Sequence, residues 1–212
     1  MRFKNRHEAG LLLAIKLKEY KDKKATVLAI PRGGVPIGST IAKVLSLPLE
    51  IVFSKKIGHP NHKEFAIGAV TLSNRILSDA AIDVSDAYIE LETELIREKL
   101  KKRFYYYYGA KHEMNLQGKI LLLVDDGIAT GNTMLSIIHM LADEKPSKII
   151  IAIPVAPKSV VSKLQNSPYV DEIICLLSPS DFQAVGQFYE DFEEVTDDDV
   201  KQLLEKGNLG VE

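Results

Sequence analysis

The stretch "KILLLVDDGIATGNTM" (119–134) decides how this chain folds. Its first part is a nearly continuous apolar run, the pattern of a strand covered on both faces. Two carboxylates close the run, a small-residue loop follows, and a helix begins in which Met134, Ile137, Ile138 and Leu141 share one face. In open α/β sheets, ligands bind beyond the carboxyl ends of strands, where Asp125 and Asp126 stand. Successive strand side chains point to opposite faces, so both carboxylates reach one ligand only where the chain is turning. That geometry suits two acceptors gripping separate hydroxyls of a sugar better than a two-carboxylate metal clamp. Gly127, Ala129 and Gly131 keep the backbone open, and Thr130 and Thr133 add hydroxyls. The following helix start offers free N–H groups to a monophosphate.

The same strand–helix rhythm extends outward. Apolar runs at 26–30, 49–53, 148–155 and 171–177 alternate with helix-period segments. Ile37, Ile41, Val44 and Leu45 share a face, as do Ala9, Leu13, Leu17 and Tyr20 of an opening helix. This alternation predicts an α/β fold with a doubly wound, mostly parallel sheet. Between about 58 and 117 the rhythm breaks. Residues 64–79 read as a small antiparallel excursion, and about 85–108 as a long helix, acid-rich first and basic last, which complements its dipole. Together with the C-terminal segment, about 180–212, this insertion is expected to form a hood or lid on a single domain spanning 1–212.

Composition sets further bounds. A chain of 212 residues, 46% hydrophobic, suits one globular domain. A net charge of −2 and a pI near 6.2 argue against nucleic acid as the main partner. The single cysteine, Cys175, excludes an internal disulfide and any multi-cysteine metal site, and within "EIICLL" it reads as a buried strand thiol. His59 and His62 lack an evident third ligand and read as incidental rather than zinc-binding. No apolar run approaches the ~20 residues that span a bilayer, and the opening "MRFKNRHEAG" carries no leader pattern. The expectation is a cytoplasmic protein without a membrane partner. Asn132 stands where a Walker loop needs lysine, no G-x-G-x-x-G follows a strand, and no G-x-S-x-G elbow occurs.

"LLLVDDGIATGNT" resembles the phosphoribosyl pyrophosphate (PRPP) motif of type I phosphoribosyltransferases. "PRGGVP" (31–36), "FAIGAV" (65–70) and "FQAVGQFYEDF" (182–192) resemble segments of a group described as predicted phosphoribosyltransferases. The resemblance implies the flavodoxin-like type I fold, usually as a homodimer. It also implies transfer of phosphoribose from PRPP, with Mg²⁺, to a nitrogenous base or related small nitrogen acceptor, releasing pyrophosphate. Asp125 and Asp126 would hold the ribose hydroxyls, and Gly127, Ile128, Ala129, Thr130, Gly131, Asn132 and Thr133 the 5-phosphate. A second anion loop of Pro31, Arg32, Gly33 and Gly34 would take the pyrophosphate, with a cis or strained Pro31–Arg32 bond.

Lys55, preferred to Lys56 at the end of the second strand, would join Arg32 there. Mg²⁺ would be held mainly by PRPP, with Asp191 the metal-side candidate of the chain. Phe182 and Val185 are the candidates for the acceptor pocket. Where hypoxanthine-guanine members carry a base-assisting aspartate this chain has Ala129, which leaves the acceptor open. "YYYY" (105–108) is expected to pack at a helix end. The competing reading is a non-catalytic PRPP-binding regulator; the leaving-group loop at Arg32 weighs toward an enzyme.

Overall fold

In a computed structural model, which describes residues 2–109, 112 and 114–208, the first helix is α1 (Arg6–Lys16). It starts where the Asn5 side chain accepts the Glu8 N–H, a conventional N-cap. There follow β1 (Ala25–Ala29), α2 (Gly34–Leu45) and β2 (Leu49–Ile51). Next come β3 (Ser54–His59), β4 (His62–Thr71), β5 (Arg75–Leu77) and the long α3 (Asp86–Tyr108). The chain then returns through β6 (Ile120–Val124), α4 (Asn132–Asp143), β7 (Lys148–Val155), α5 (Lys158–Gln165), β8 (Glu172–Leu177) and α6 (Asp197–Asn208). Positions 110, 111, 113 and 209–212 of the expected hood and tail lie outside the described residues.

Five strands form one parallel sheet in the order β2-β1-β6-β7-β8, as the continuous apolar runs predict. Alternation divides their side chains between two cores. Val27, Ala29, Leu122, Val124 and Ile150 join the core that includes residues of α1, α2 and α6. Leu28, Leu121, Leu123, Ile149 and Ile151 join residues of α4 and α5 in the other. Each fully buried Leu, Ile or Val adds roughly 1.5–3 kcal/mol. The central strands therefore have no polar face to lose, and their register is held from both sides.

Three expectations need correction. The second strand ends at Ile51, not residue 53: Val52 still donates its N–H to Ala29 O (2.9 Å), but the chain then turns away from the parallel sheet. Lys55 and Lys56 thus lie in β3, which pairs antiparallel with β4, and β4 with β5. Val44 is exposed while Ile37, Ile41 and Leu45 are buried, because the inward stripe of α2 runs through Thr40, Ile41 and Ala42. Cys175 is half-buried on the edge strand β8, its thiol donating to Leu177 O (3.1 Å).

The tyrosine run does close a helix end. Tyr107 is buried, and the Tyr108 hydroxyl accepts the Ile51 N–H (3.0 Å) and donates to Glu50 (2.9 Å), so α3 is fastened to β2. Gly109, at φ +73°, then ends the helix in a conformation that side chains resist. No described helix is long and apolar enough to cross a membrane.

The connection through α2 leaves β1 on one face of the sheet, and that through α4 leaves β6 on the other. β1 and β6 are neighbours. Their C-terminal loops consequently diverge above a crevice, the switch point where α/β sheets bind ligands.

Candidate active site

The loop after β1 is tied down at once, Ile30 donating its N–H to Val124 O (2.9 Å). The Pro31–Arg32 peptide is cis, as anticipated. The two glycines that follow are required by contact. A Cβ on Gly34 would lie 2.7 Å from Val124 O and 3.0 Å from Asp125 Cα, and one on Gly33 would lie 2.0 Å from Asp126 Oδ2. Only residues without side chains let the two loops touch.

In the loop after β6, Asp125 Oδ1 accepts the Asp126 N–H (2.8 Å). Asp125 is half-buried as a residue, yet its carboxyl is withdrawn from bulk water. Burial first, then the neighbouring Asp126 charge, pushes it well above the usual carboxylate range. Burial also raises Asp126, against the pull of Arg6. Arg6 donates to Asp126 Oδ2 through both Nε (3.0 Å) and Nη2 (2.8 Å), with the two side chains only 12% and 14% exposed. Its Nη1 donates to Glu193 O (2.8 Å), and its guanidinium lies 3.8 Å over the Phe192 ring. The Tyr189 hydroxyl, stacked behind Phe192, donates to Asp126 O (2.7 Å).

The rest of that loop leads into α4. Gly131, at φ +75°, stands immediately before the helix, and Thr130, Asn132 and Thr133 are exposed around its first turn. Val185 and Val155 press on Gly127, where a Cβ would meet their methyls at 2.6 and 2.9 Å. Ile128 is buried and Ala129 exposed. From α5, Lys163 donates to Asn132 Oδ1 (2.5 Å).

A cleft of about 430 Å³ opens between the loops, lined by Arg6, Arg32, Gly33, Asp126 and the chain's own residues 192–195. Arg32 Nη2 donates to Glu194 Oε1 (2.8 Å) across it. A more apolar cavity of about 280 Å³ between the small sheet and α4 shares none of these residues.

Of the expected site residues, Arg32, Gly33 and Asp126 line the cleft, and Gly34 packs on the backbone of Asp125; Asp125 and the loop Gly127–Thr133 follow in the chain but do not line it. Lys55 is exposed on β3 and does not line the cleft; Lys56 is paired with Glu64 (2.8 Å). Asp191 is exposed, its Oδ1 accepting the Glu193 N–H (3.3 Å). Phe182 stacks on Phe188 (5.5 Å) and Val185 covers Gly127, while the aromatic ring in the cleft is Phe192. Tyr189 and Phe192 fell within a motif legible in the sequence. Arg6 had no signal there, being 120 residues from its partner Asp126.

Among the described residues no three His, Cys, Asp or Glu gather to hold a metal, and Asp125 Oδ1 and Asp126 Oδ2 are already engaged. These residues suit an ion that arrives on a phosphate ligand, since Mg²⁺ favours phosphates and water over all-protein sites.

The family model for the phosphoribosyl transferase domain matches residues 6–193, from the arginine that holds Asp126 to the segment that closes the cleft. The chain belongs to this family. Two Mycobacterium tuberculosis proteins, provisionally named phosphoribosyl transferases, are 32% identical over 97% of the chain and 47% of their own length. The chain therefore spans about half the length of these curated relatives. A uracil phosphoribosyltransferase of Mycoplasma genitalium is 25% identical over 59% of the chain and 61% of its own. The crystal structure of a Thermus thermophilus protein, 37% identical, has a TM-score of 0.86 and covers 97% of this chain and 99% of that one.

Proposed function

We propose that this chain is a PRPP-dependent phosphoribosyltransferase. The observation that carries the proposal is the Gly33–Asp126 contact, which sets a pyrophosphate-type loop and a ribose-phosphate-type loop on one cleft. In this reading Asp125 and Asp126 accept the ribose hydroxyls. The amides and hydroxyls of Gly127–Thr133, at the positive end of α4, bind the 5-phosphate. Arg32 and the loop Pro31–Gly34 take the pyrophosphate, with Lys55, exposed on β3, the further cation assigned to it. A nitrogen of the acceptor attacks C1, the C1–O bond breaks, and its electron pair leaves with pyrophosphate. Arg32, once released from Glu194, and the loop beside it stabilise the charge growing there. Mg²⁺ bound with the donor would supply further charge neutralisation, and Asp191 is the residue of this chain that would be offered to it. The acceptor would lie near Val185 and Phe182, with the hood excluding water that would hydrolyse the activated sugar.

The test is release of pyrophosphate from PRPP and Mg²⁺ with a panel of purine, pyrimidine and amine acceptors, uracil among them. Release with one acceptor identifies the substrate. Tight PRPP binding without turnover across a broad panel would instead favour a non-catalytic binder, and no PRPP binding would sink both.

Glu194 stands on Arg32 where the pyrophosphate would lie. Both side chains of this pair are substantially exposed, so it contributes at most about 1 kcal/mol to stability. Glu194→Gln is expected to leave unfolding unchanged and to tighten PRPP binding about 3–10-fold by removing a competing anion. Equal titration curves for the two proteins would show that Glu194 does not compete.

A further inference from the structure

We propose that Arg6 is a positioning residue of this site: it grips Asp126 by Oδ2 alone and so presents Oδ1 to a ribose hydroxyl. The inference rests on the reading of Asp126 as a ribose ligand. Two guanidinium nitrogens converge on the one oxygen, and Oδ1 accepts no hydrogen bond among the described residues. A guanidinium that served only to neutralise the carboxylate would more naturally take both oxygens in a parallel fork. Gly33 packs against the gripped oxygen, which stops the carboxylate from turning over.

Arg6 is itself prevented from following the ligand. Phe192 covers one face of its guanidinium at 3.8 Å, and Glu193 O takes its third nitrogen at 2.8 Å. A purely architectural purpose, anchoring α1, is already served by other residues. Asn5 caps that helix, and Ala9, Leu13 and Ala14 bury its inner face. The three contacts of Arg6 instead all lie around the cleft. The C-terminal segment and the carboxylate are thereby joined through one side chain.

The experiment measures binding of PRPP, ribose 5-phosphate and pyrophosphate, each with Mg²⁺, by calorimetry. Arg6→Gln is expected to weaken PRPP and ribose 5-phosphate together by roughly 10–100-fold, the scale of one charge-assisted hydrogen bond. Pyrophosphate binding should change less than about twofold. Arg6→Lys, which keeps one cationic donor, should recover part of the loss and also serves if Arg6→Gln fails to fold. In an Asp126→Asn background Arg6→Gln should add no further loss of PRPP affinity, because the two residues act as one unit. Unchanged ribose 5-phosphate affinity in Arg6→Gln, no recovery in Arg6→Lys, or full additivity with Asp126→Asn would each overturn the assignment. If Asp126→Asn alone bound PRPP normally, the ribose role of Asp126 would fall first, and the role of Arg6 with it.

Discussion

Asp125→Asn is expected to make the protein more stable at neutral pH while removing most of its affinity for PRPP. Burial and the adjacent Asp126 hold the Asp125 carboxyl well above the usual range in the fold. An acid whose folded pKa is raised favours the unfolded chain as pH climbs from the ordinary carboxylate pKa to the folded one, because the unfolded chain ionises first. Wild-type stability should therefore fall with rising pH through that window. The asparagine, of the same shape and still able to accept the Asp126 N–H, has no such loss. A gain in stability at pH 7 is expected, and it should shrink toward zero as the pH falls to the ordinary carboxylate range. PRPP affinity should fall roughly 10–100-fold, since a charged acceptor is lost from a ribose hydroxyl. Urea unfolding between pH 4 and 8, with calorimetry beside it, reads both. A variant destabilised at pH 7, or one binding PRPP as wild type does, would refute the account.

Gly34→Ala should be the most damaging single methyl in the chain's ligand loops. The added carbon meets Val124 O at 2.7 Å and Asp125 Cα at 3.0 Å, both backbone atoms of the neighbouring strand and its extension. A clash with a side-chain tip relaxes by rotation, whereas this one must part β1 from β6 or distort the loop between them. Overpacking of that kind costs about 3 kcal/mol or more. The same displacement separates Arg32 from Asp126, so PRPP binding should disappear even in molecules that stay folded. Gly207→Ala is the control: its methyl would meet Leu49 at 3.6 Å, an ordinary contact in α6, and stability should hold or rise slightly. Equal denaturation midpoints for wild type and Gly34→Ala would contradict the argument.

These effects show where local pattern stops being informative. The apolar runs around Val27 and Leu122 predicted strands covered on both faces, and the two cores cover them. The limit of β2 is not legible because "LEIVF" stays apolar past Ile51. Val52 and Phe53 are buried too, but outside the parallel ladder, and apolar content does not distinguish the two environments. The same continuity hides that Lys55 lies in β3. In the candidate site, Gly33 and Gly34 could be read as permissive turn residues. That they touch Asp126 and β6 could not, because the contact depends on β1 and β6 being neighbours across nearly a hundred residues of intervening chain.

By itself the sequence determined what is encoded within a few consecutive residues. It specified the apolar strand runs, the two carboxylates beyond one of them, and the glycine- and threonine-rich turn leading into a helix. It also specified the Pro–Arg–Gly–Gly loop after the first strand. Those features follow from local backbone geometry and side-chain chemistry, which act over a turn or less. Only the tertiary structure decided what those groups face. Arg6 reaches Asp126 from 120 residues away, and Glu194 reaches Arg32 from 162. Such pairs are selected by the packing of whole helices and strands, whose burial energy far exceeds that of any one ion pair. No short stretch carries the information that they will meet.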